Sequence, residues 1–111
     1  MDPTPVPLTR VEDRLSVLGG LVGRAGRTAR QFAAEAGVSI VTATSLCRGN
    51  WAARQDRILM AVAAWLNRTF PGRFLFDAGN VRDLATRIPR GRTALAAAVN
   101  QILEKKGHRP A

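Results

Sequence analysis

Hydrophobic positions recur at helical spacing from residue 11 onward. In the first segment the apolar positions, three or four residues apart, are Val11, Leu15, Leu18, Val22 and Ala25. This spacing is the period of one helix face, so a helix with one buried side is predicted. Gly19 and Gly20 interrupt the segment, and each is expected to weaken the helix by about 1 kcal/mol relative to alanine.

Two short helices are predicted next, separated by a very short turn. Thr28 lies three residues before Gln31, an arrangement typical of a capping box at the start of a helix. The first helix is expected to span Ala29–Ala36. It should end at Gly37, because glycine enters a left-handed turn without a Cβ penalty. Ser39 is the expected N-cap of the second helix.

The second helix is expected to close at Gly49. The segment Asp56–Asn67 then places apolar residues at helical spacing, which predicts a further amphipathic helix. The Pro-Gly pair at 71–72 ends the helical pattern and indicates a turn. The apolar triplet that follows, residues 74–76, is interpreted as a short strand or a core plug, that is, a non-regular segment whose apolar side chains fill the core.

Two more helices are predicted in the last third of the chain. The first, NVRDLATRI, is expected to be capped by Asn80, and the second to be capped by Thr93 and to end near Gly107. Residues 89–92 are expected to interrupt the helical structure between these two helices. One face of the last helix carries Leu95, Val99, Ile102 and Leu103. That face suits either dimerisation or packing on the domain's own core.

The net charge of the chain indicates its kind of partner. The 111 residues include 17 lysines and arginines against 8 acidic residues, a formal charge of +9, and fifteen of the cations are arginines spread along the chain. An excess of this size suggests a polyanionic partner. Distributed arginines suit phosphate contact by a folded surface, although a genomic bias toward arginine would give the same composition.

Catalytic and metal chemistry is not predicted. Cys47 is the single cysteine and His108 the single histidine, so neither an internal disulfide nor a Cys/His metal cluster is expected. No paired carboxylates, nucleophile with a base, or phosphate-binding loop stands at credible spacing. The chain is therefore expected not to be an enzyme and to need no cofactor. No stretch approaches the ~20 apolar residues of a membrane span, and a reducing cytoplasm is the expected location.

The segment 29–48 meets the requirements of a helix-turn-helix. Its inward positions should be apolar, and they are Phe32, Ala36, Val38, Ala43 and Leu46. The position of closest helix contact must be small and holds Ala33, and the left-handed turn position holds Gly37. Two short amphipathic helices joined by a tight turn also occur by chance in all-helical proteins. The positive charge favours the functional interpretation.

The segment QFAAEAGVSIVTATSLCRGN, residues 31–50, resembles the Cro and phage-repressor family, also called XRE-like. The Ala-x-x-x-Gly-Val-Ser run, a leucine nine residues after the glycine and the closing Arg-Gly stand at family spacing. The resemblance covers residues 11–67 and implies an all-α fold, a five-helix lambda-repressor-like helix-turn-helix domain with a C-terminal helical extension. It also implies a transcription regulator that binds double-stranded DNA sequence-specifically, with helix 39–48 in the major groove.

The resemblance assigns base reading to the start and outer face of helix 39–48. The residues at these positions are Ser39, Ile40, Val41, Thr42, Thr44 and Ser45. Ile40 and Val41 stand where the family often has polar side chains. Apolar side chains contact thymine methyl groups but make no bidentate hydrogen bonds to bases, so the base preference is expected to be modest or biased toward thymine.

The same resemblance assigns phosphate contacts to residues on both sides of the reading helix. The family commonly has a glutamine at the first position of the preceding helix, where this chain has Ala29. Four nearby residues could substitute for it, helped by the positive end of the helix dipole: Arg27, Thr28, Arg30 and Gln31. The candidates that follow the reading helix are Arg48, Asn50, Arg54 and Arg57.

Three of these assignments carry alternatives. Arg57 could pair with Asp56 or Glu35 on a solvated face instead of binding phosphate. Trp65 lies on an apolar helix face and is expected in the core. Trp51 is also expected to pack in the core, although from a loop it could stack on a sugar.

Three parts of the chain are expected: a flexible N-terminal arm over residues 1–10, the helix-turn-helix domain over 11–70, and the helical extension over 71–111, a candidate dimerisation segment. A homodimer on DNA is predicted because one reading helix covers only a few base pairs, and the protein is expected at the nucleoid. The alternative is a protein-interaction module, such as an antitoxin, an anti-termination factor or a co-regulator of RNA polymerase, with the helix-turn-helix as its scaffold.

Overall fold

The computed structural model describes residues 16–50 and 55–105, except for the side chain of Arg92. These residues form six α-helices and contain no strand. The helices are α1 (Val17–Arg24), α2 (Ala29–Ala36), α3 (Ile40–Arg48), α4 (Asp56–Thr69), α5 (Ala78–Thr86) and α6 (Gly91–Lys105). The all-α class predicted from the sequence is confirmed over this part of the chain. The predicted arm at 1–10, the predicted helix start at 11–15, Trp51 and Arg54 lie outside the described residues.

The first described helix begins later than the hydrophobic pattern predicts. Ser16 has an extended backbone (φ −103°, ψ 160°), so the prediction of one continuous helix from residue 11 is wrong. The Ser16 hydroxyl oxygen accepts a hydrogen bond from the Gly19 N–H at 3.0 Å and thereby caps α1. The same buried hydroxyl shares its one proton between the carbonyl oxygens of Leu46 at 2.6 Å and Cys47 at 3.1 Å. One serine therefore caps α1 and ties it to the end of α3.

The caps of α2 and α3 are those predicted from the sequence. The Gln31 N–H donates to Thr28 Oγ1 at 3.2 Å, and the Thr28 N–H donates to Gln31 Oε1 at 2.9 Å, which completes the capping box. Gly37 ends α2 with a left-handed backbone (φ 76°). Ser39 caps α3 by accepting from the Thr42 N–H at 3.1 Å. A turn of three residues thus joins the two helices.

The glycines that end α2 and α3 offer a matched test of these helix ends. Gly37 and Gly49 have φ of 76° and 75°, a backbone that costs an L-residue about 1–2 kcal/mol. A Cβ on Gly37 would meet no described atom within 4 Å, whereas a Cβ on Gly49 would lie 2.8 Å from Ile88 Cγ1. In urea denaturation, Gly37→Ala is expected to lower the free energy of unfolding by about 1 kcal/mol, and Gly49→Ala by clearly more. The two losses should become equal in an Ile88→Ala background, and equal losses in the wild-type background would contradict the close contact.

The two C-terminal helices start at other residues than predicted. The Asn80 N–H donates to the Asp77 carboxylate at 2.9 Å, and the Asn80 side-chain oxygen accepts from the Asp77 N–H at 3.0 Å. Asp77 is therefore the cap of α5, because this reciprocal pairing satisfies two backbone donors only with Asp77 outside the helix. The helix ends at Thr86, before the predicted boundary, and α6 begins at Gly91, two residues before Thr93.

The apolar triplet at 74–76 is a core plug and not a strand. Phe76 is buried, whereas Leu75 is 71% exposed. The Asn67 amide takes the place of a neighbouring strand: its Nδ2 donates to the Phe76 carbonyl at 3.0 Å, and its Oδ1 accepts from the Phe76 N–H at 2.9 Å. These two bonds satisfy the backbone N–H and carbonyl groups of Phe76 at the edge of the core.

All six helices contribute side chains to one buried core. The apolar face of α6 is turned into it, and Leu95, Val99 and Leu103 are buried. A Cβ on Gly20 of α1 would lie 2.4 Å from Val99 Cγ2, so α6 packs directly against the backbone of α1. Of the two roles predicted for this face, packing on the domain's own core is the one observed.

Candidate nucleic-acid interface

Helix α3 has one buried face and one exposed face. Its buried residues are Ala43, Leu46 and Cys47. By the helical period, Val41, Ser45 and Arg48 lie on the opposite side. Ile40 and Val41 are 47% and 77% exposed, Arg48 is exposed, and Thr44 and Ser45 are half-buried. The helix therefore presents apolar groups and hydroxyls outward, with an arginine at its end.

Two of the predicted base-reading hydroxyls form hydrogen bonds with each other. Ser39 Oγ accepts from the Thr42 N–H and donates its own proton to Thr42 Oγ1 at 2.9 Å. Ser39 is thus used mainly as the helix cap. The Thr42 hydroxyl is the acceptor in this pair, so its own proton remains available for an acceptor on a base edge or a phosphate.

The start of α2 is a second group of exposed donors. Arg30 and Gln31 are exposed. The capping box uses only the Oε1 atom of Gln31 and only the hydroxyl oxygen of Thr28, so the Gln31 Nε2 protons and the Thr28 hydroxyl proton are not consumed by it. Backbone N–H groups of the first helical turn lack intrahelical partners and form the positive end of the helix dipole. Such a group of donors suits phosphate oxygens.

Arg27 differs from the other predicted phosphate ligands because it already has an acidic partner. Its Nε donates to Glu35 Oε2 at 2.7 Å, and its Nη1 donates to the Ala25 carbonyl at 3.3 Å. The residue is half-buried. Because a carboxylate already offsets its charge, Arg27 is expected to contribute less to phosphate binding than the exposed Arg30.

Glu35 was not among the predicted site residues, yet it fixes the position of α2. Trp65 Nε1 on α4 donates to Glu35 Oε1 at 2.9 Å, and Arg68 Nη2 donates to the Glu35 carbonyl at 3.3 Å. The Trp65 hydrogen bond contributes most to lowering the pKa of Glu35; desolvation opposes it, and Arg27 and Arg68 lower the pKa further. A buried indole N–H requires an acceptor, and that requirement is the sequence signal for such a carboxylate.

The remaining predicted phosphate ligands lie at the end of α3 and the start of α4. Arg48, Asn50 and Arg57 are exposed, and Arg54 lies between the two described ranges. Both carboxylates considered as alternative partners of Arg57 bind other arginines in the described part of the chain. Three exposed polar side chains therefore lie at the C-terminal end of α3 or after it in the chain.

Residues 16–50 and 55–105 contain neither a metal-binding group nor a membrane-spanning helix. No group of three or more His, Cys, Asp or Glu side chains there is placed to hold a metal ion. None of the described helices combines the length and apolar character needed to cross a membrane. No protein-family model matches the chain, and neither a curated protein nor a solved structure matches it.

Proposed function

We propose that this protein is a transcription regulator of the cytoplasm that binds double-stranded DNA sequence-specifically, with α2 and α3 as its helix-turn-helix. The observation that carries the proposal is the way these two helices are joined and held. A three-residue turn with left-handed Gly37 connects them. Buried Phe32, Ala33 and Leu46 hold the pair on the core, and one face of α3 remains exposed. A short turn and one exposed helix face are features of helix-turn-helix pairs that dock a recognition helix in the major groove, and they support this proposal.

Base reading in this proposal is performed by the outward face of α3. Ile40 and Val41 contact thymine methyl groups, which project into the major groove. The hydroxyls of Thr42, Thr44 and Ser45 exchange hydrogen bonds with base edges. The recognised sequence is accordingly expected to depend on thymines more than on guanines, because no arginine or lysine lies on the first turns of α3 to bind a guanine bidentately.

Phosphate binding positions α3 in the groove. The exposed donors at the start of α2, Arg30 and Gln31, bind one stretch of backbone, and Arg48, Asn50 and Arg57 bind another. These contacts displace condensed cations from the duplex and therefore make binding salt-dependent. A net charge of +9 favours association with any duplex, and the α3 contacts add the preference for one sequence.

The proposal is tested by selection from a random duplex pool, followed by titration of the enriched duplex across salt concentrations. Enrichment of one motif is expected, and a palindromic motif would identify the homodimer that half-site recognition predicts. Salt-sensitive binding without a motif would leave a non-specific DNA-binding protein in place of a regulator. If no duplex were bound, the proposal would be overturned in favour of a protein-interaction module.

Two arginines give a sharper test of the assigned phosphate contacts. Arg30→Gln and Arg48→Gln are each expected to weaken binding to the selected duplex and to a scrambled one by the same factor. Each should also reduce the slope of log K against log salt by about 0.9. Fluorescence anisotropy at four or more salt concentrations measures both quantities.

Arg73→Gln is the matched control for these two variants. Arg73 is exposed in the loop before α5, and α5 has nine residues, which separates its two ends by about 13 Å. The other end of α5, remote from Arg73, lies beside the end of α3. There the carbonyl oxygen of Ala85 would be 3.6 Å from a Cβ on Gly49, the residue that follows α3. A loss confined to one DNA sequence in the Arg30 or Arg48 variant would contradict their assignment to phosphate.

A further inference from the structure

The loop between α5 and α6 carries a second pair of exposed arginines. Its sequence is Arg87-Ile88-Pro89-Arg90, and both arginines are exposed. Within the described residues, neither lies in ion-pair distance of a carboxylate. Neither residue belongs to the predicted phosphate ligands, which all lie between residues 27 and 57.

The side chain of Ile88 places this loop against the end of α3. A Cβ on Gly49 would lie 2.8 Å from Ile88 Cγ1 and 3.2 Å from Ile88 Cδ1. Ile88 therefore packs on the bare backbone of Gly49, although 55% of its surface is exposed. Gly49 lies between Arg48 and Asn50 in the chain. The contact thus brings the loop to the same end of α3 that carries these two assigned phosphate ligands.

The loop is also held in place from both sides. Arg87 is the C-cap of α5, and its N–H donates to the Asp83 carbonyl at 2.9 Å. Pro89 has a fixed φ, and α6 begins at Gly91. A short segment bounded by two helices and anchored by Ile88 presents its cations from a defined position, which reduces the entropy lost when they bind a ligand.

We propose that Arg87 and Arg90 form a second phosphate-binding site that extends the DNA interface from the end of α3 onto the α5–α6 loop. The ligand is the phosphate backbone of the duplex beside the groove that α3 enters. Arginine suits this role because its guanidinium matches the geometry of phosphate oxygens. The inference rests on the proposed function, because the loop gains a ligand only when α3 lies on DNA.

A structural role for the same two arginines would act through the dipoles of α5, which Arg87 caps, and α3, whose end lies beside the loop. Cations near the C-terminal end of a helix stabilise it electrostatically, and this effect requires no DNA. The two roles differ in what their loss changes. Loss of a stabilising role lowers the thermal midpoint of the free protein. Loss of phosphate binding instead reduces the salt dependence of DNA affinity.

The test compares two double variants of the full chain that remove the same net charge. Arg87→Gln/Arg90→Gln removes the proposed site. Arg73→Gln/Lys105→Gln removes two exposed cations elsewhere, one before α5 and one at the far end of α6, about 20 Å from the start of that fifteen-residue helix. Binding to the selected duplex and to a scrambled duplex is measured by anisotropy across salt concentrations.

Loss of the proposed site is expected to reduce the slope of log K against log salt by about 1.8, which is twice the ~0.9 expected for one phosphate. Affinity for both duplexes should fall by the same factor, on the order of tenfold or more at low salt. The control variant should keep the wild-type slope. The thermal midpoints of both free variants should stay close to that of the wild type.

Several outcomes overturn the inference while the proposed function stands. Wild-type slope in the Arg87→Gln/Arg90→Gln variant, alongside a reduced slope in Arg48→Gln, would show that the loop does not contact DNA. Equal reductions in the two double variants would show an effect of net charge alone. A lower thermal midpoint with unchanged slope would leave only the helix-dipole role. Failure of the wild-type protein to bind any duplex would instead overturn the proposed function itself.

Discussion

Replacing Trp65 with alanine is expected to lower the free energy of unfolding by about 3–5 kcal/mol. Trp65 is among the largest fully enclosed side chains and packs edge-on against Phe32, with ring centroids 4.8 Å apart, and against Phe70 at 6.4 Å. Alanine would leave a cavity where α2 and α4 meet, and the aromatic contacts would be lost with it. Urea denaturation followed by circular dichroism measures the loss, since it does not depend on the removed fluorophore.

Trp65→Phe separates the hydrogen bond from the packing. Phenylalanine keeps much of the apolar contact but has no N–H for the carboxylate of Glu35, which now accepts from Trp65 at 2.9 Å. The pKa of Glu35 is lowered by that bond more than by any other cause, so it is expected to rise in the variant. Titration of the Glu35 carboxyl carbon by NMR measures this change. An unchanged pKa would contradict the assigned cause.

The sign of the pH dependence follows from the direction of this shift. A carboxyl whose pKa is lower in the folded state contributes stability when it is ionised in both states, above the pKa of the unfolded chain. That contribution is lost as the pH falls through the lower, folded value. The free energy of unfolding of the wild-type protein should therefore fall more steeply below pH ~4.3 than that of Trp65→Phe. If the free energy of unfolding depended on pH equally in the two proteins, the hydrogen bond would not couple protonation of Glu35 to folding.

The short range of capping interactions explains why α2 and α3 could be predicted from the sequence. The Thr28–Gln31 and Ser39–Thr42 pairs are each three residues apart, so a short stretch of sequence contains the whole interaction. Gly37 likewise marks a left-handed helix end wherever it lies in the fold. The positions on the outer face of α3 follow from the same local register, because buried and exposed residues alternate with the helical period.

Contacts between distant residues explain what could not be predicted. Ser16 bonds to carbonyls 30 and 31 residues away, and Trp65 bonds to a carboxylate 30 residues away. A serine inside an apolar pattern looks like a tolerated interruption until its partners are known. The close approach of Ile88 to Gly49 is of the same kind, because neither residue indicates the other. The α5–α6 loop was therefore absent from the predicted phosphate ligands.

The start of α5 shows a different difficulty, in which two local signals compete. Asp77 and Asn80 are both favourable N-caps and lie three residues apart. Each could begin a helix, and Asn80 was the predicted cap. The observed helix uses both residues, with Asp77 as cap and Asn80 as its reciprocal partner. When both residues of a capping box are good N-caps, the predicted helix start is therefore uncertain by about one helical turn.

Gly20→Ala is expected to destabilise the protein by about 3 kcal/mol, at the upper end of the usual range for overpacking. Helix propensity alone predicts the opposite sign, a gain of about 1 kcal/mol. The added Cβ would lie 2.4 Å from Val99 Cγ2 and 3.3 Å from Leu95 Cδ1. Val99 is fully buried, and a β-branched side chain in a helix has little freedom to turn aside. Helix α6 must therefore move away from α1.

A double-mutant cycle with Val99→Ala shows whether that contact is the cause. Val99→Ala alone should destabilise by about 2 kcal/mol, because it removes two buried methyl groups. In its background the new methyl at residue 20 fills part of the space that Val99 leaves, so the combined loss should be smaller than the sum of the single losses by at least about 1 kcal/mol. Simple additivity would mean that α6 does not rest on Gly20. The glycine that weakens α1 as an isolated helix would then have no packing role, whereas strong coupling shows that it is the site where α6 closes the core.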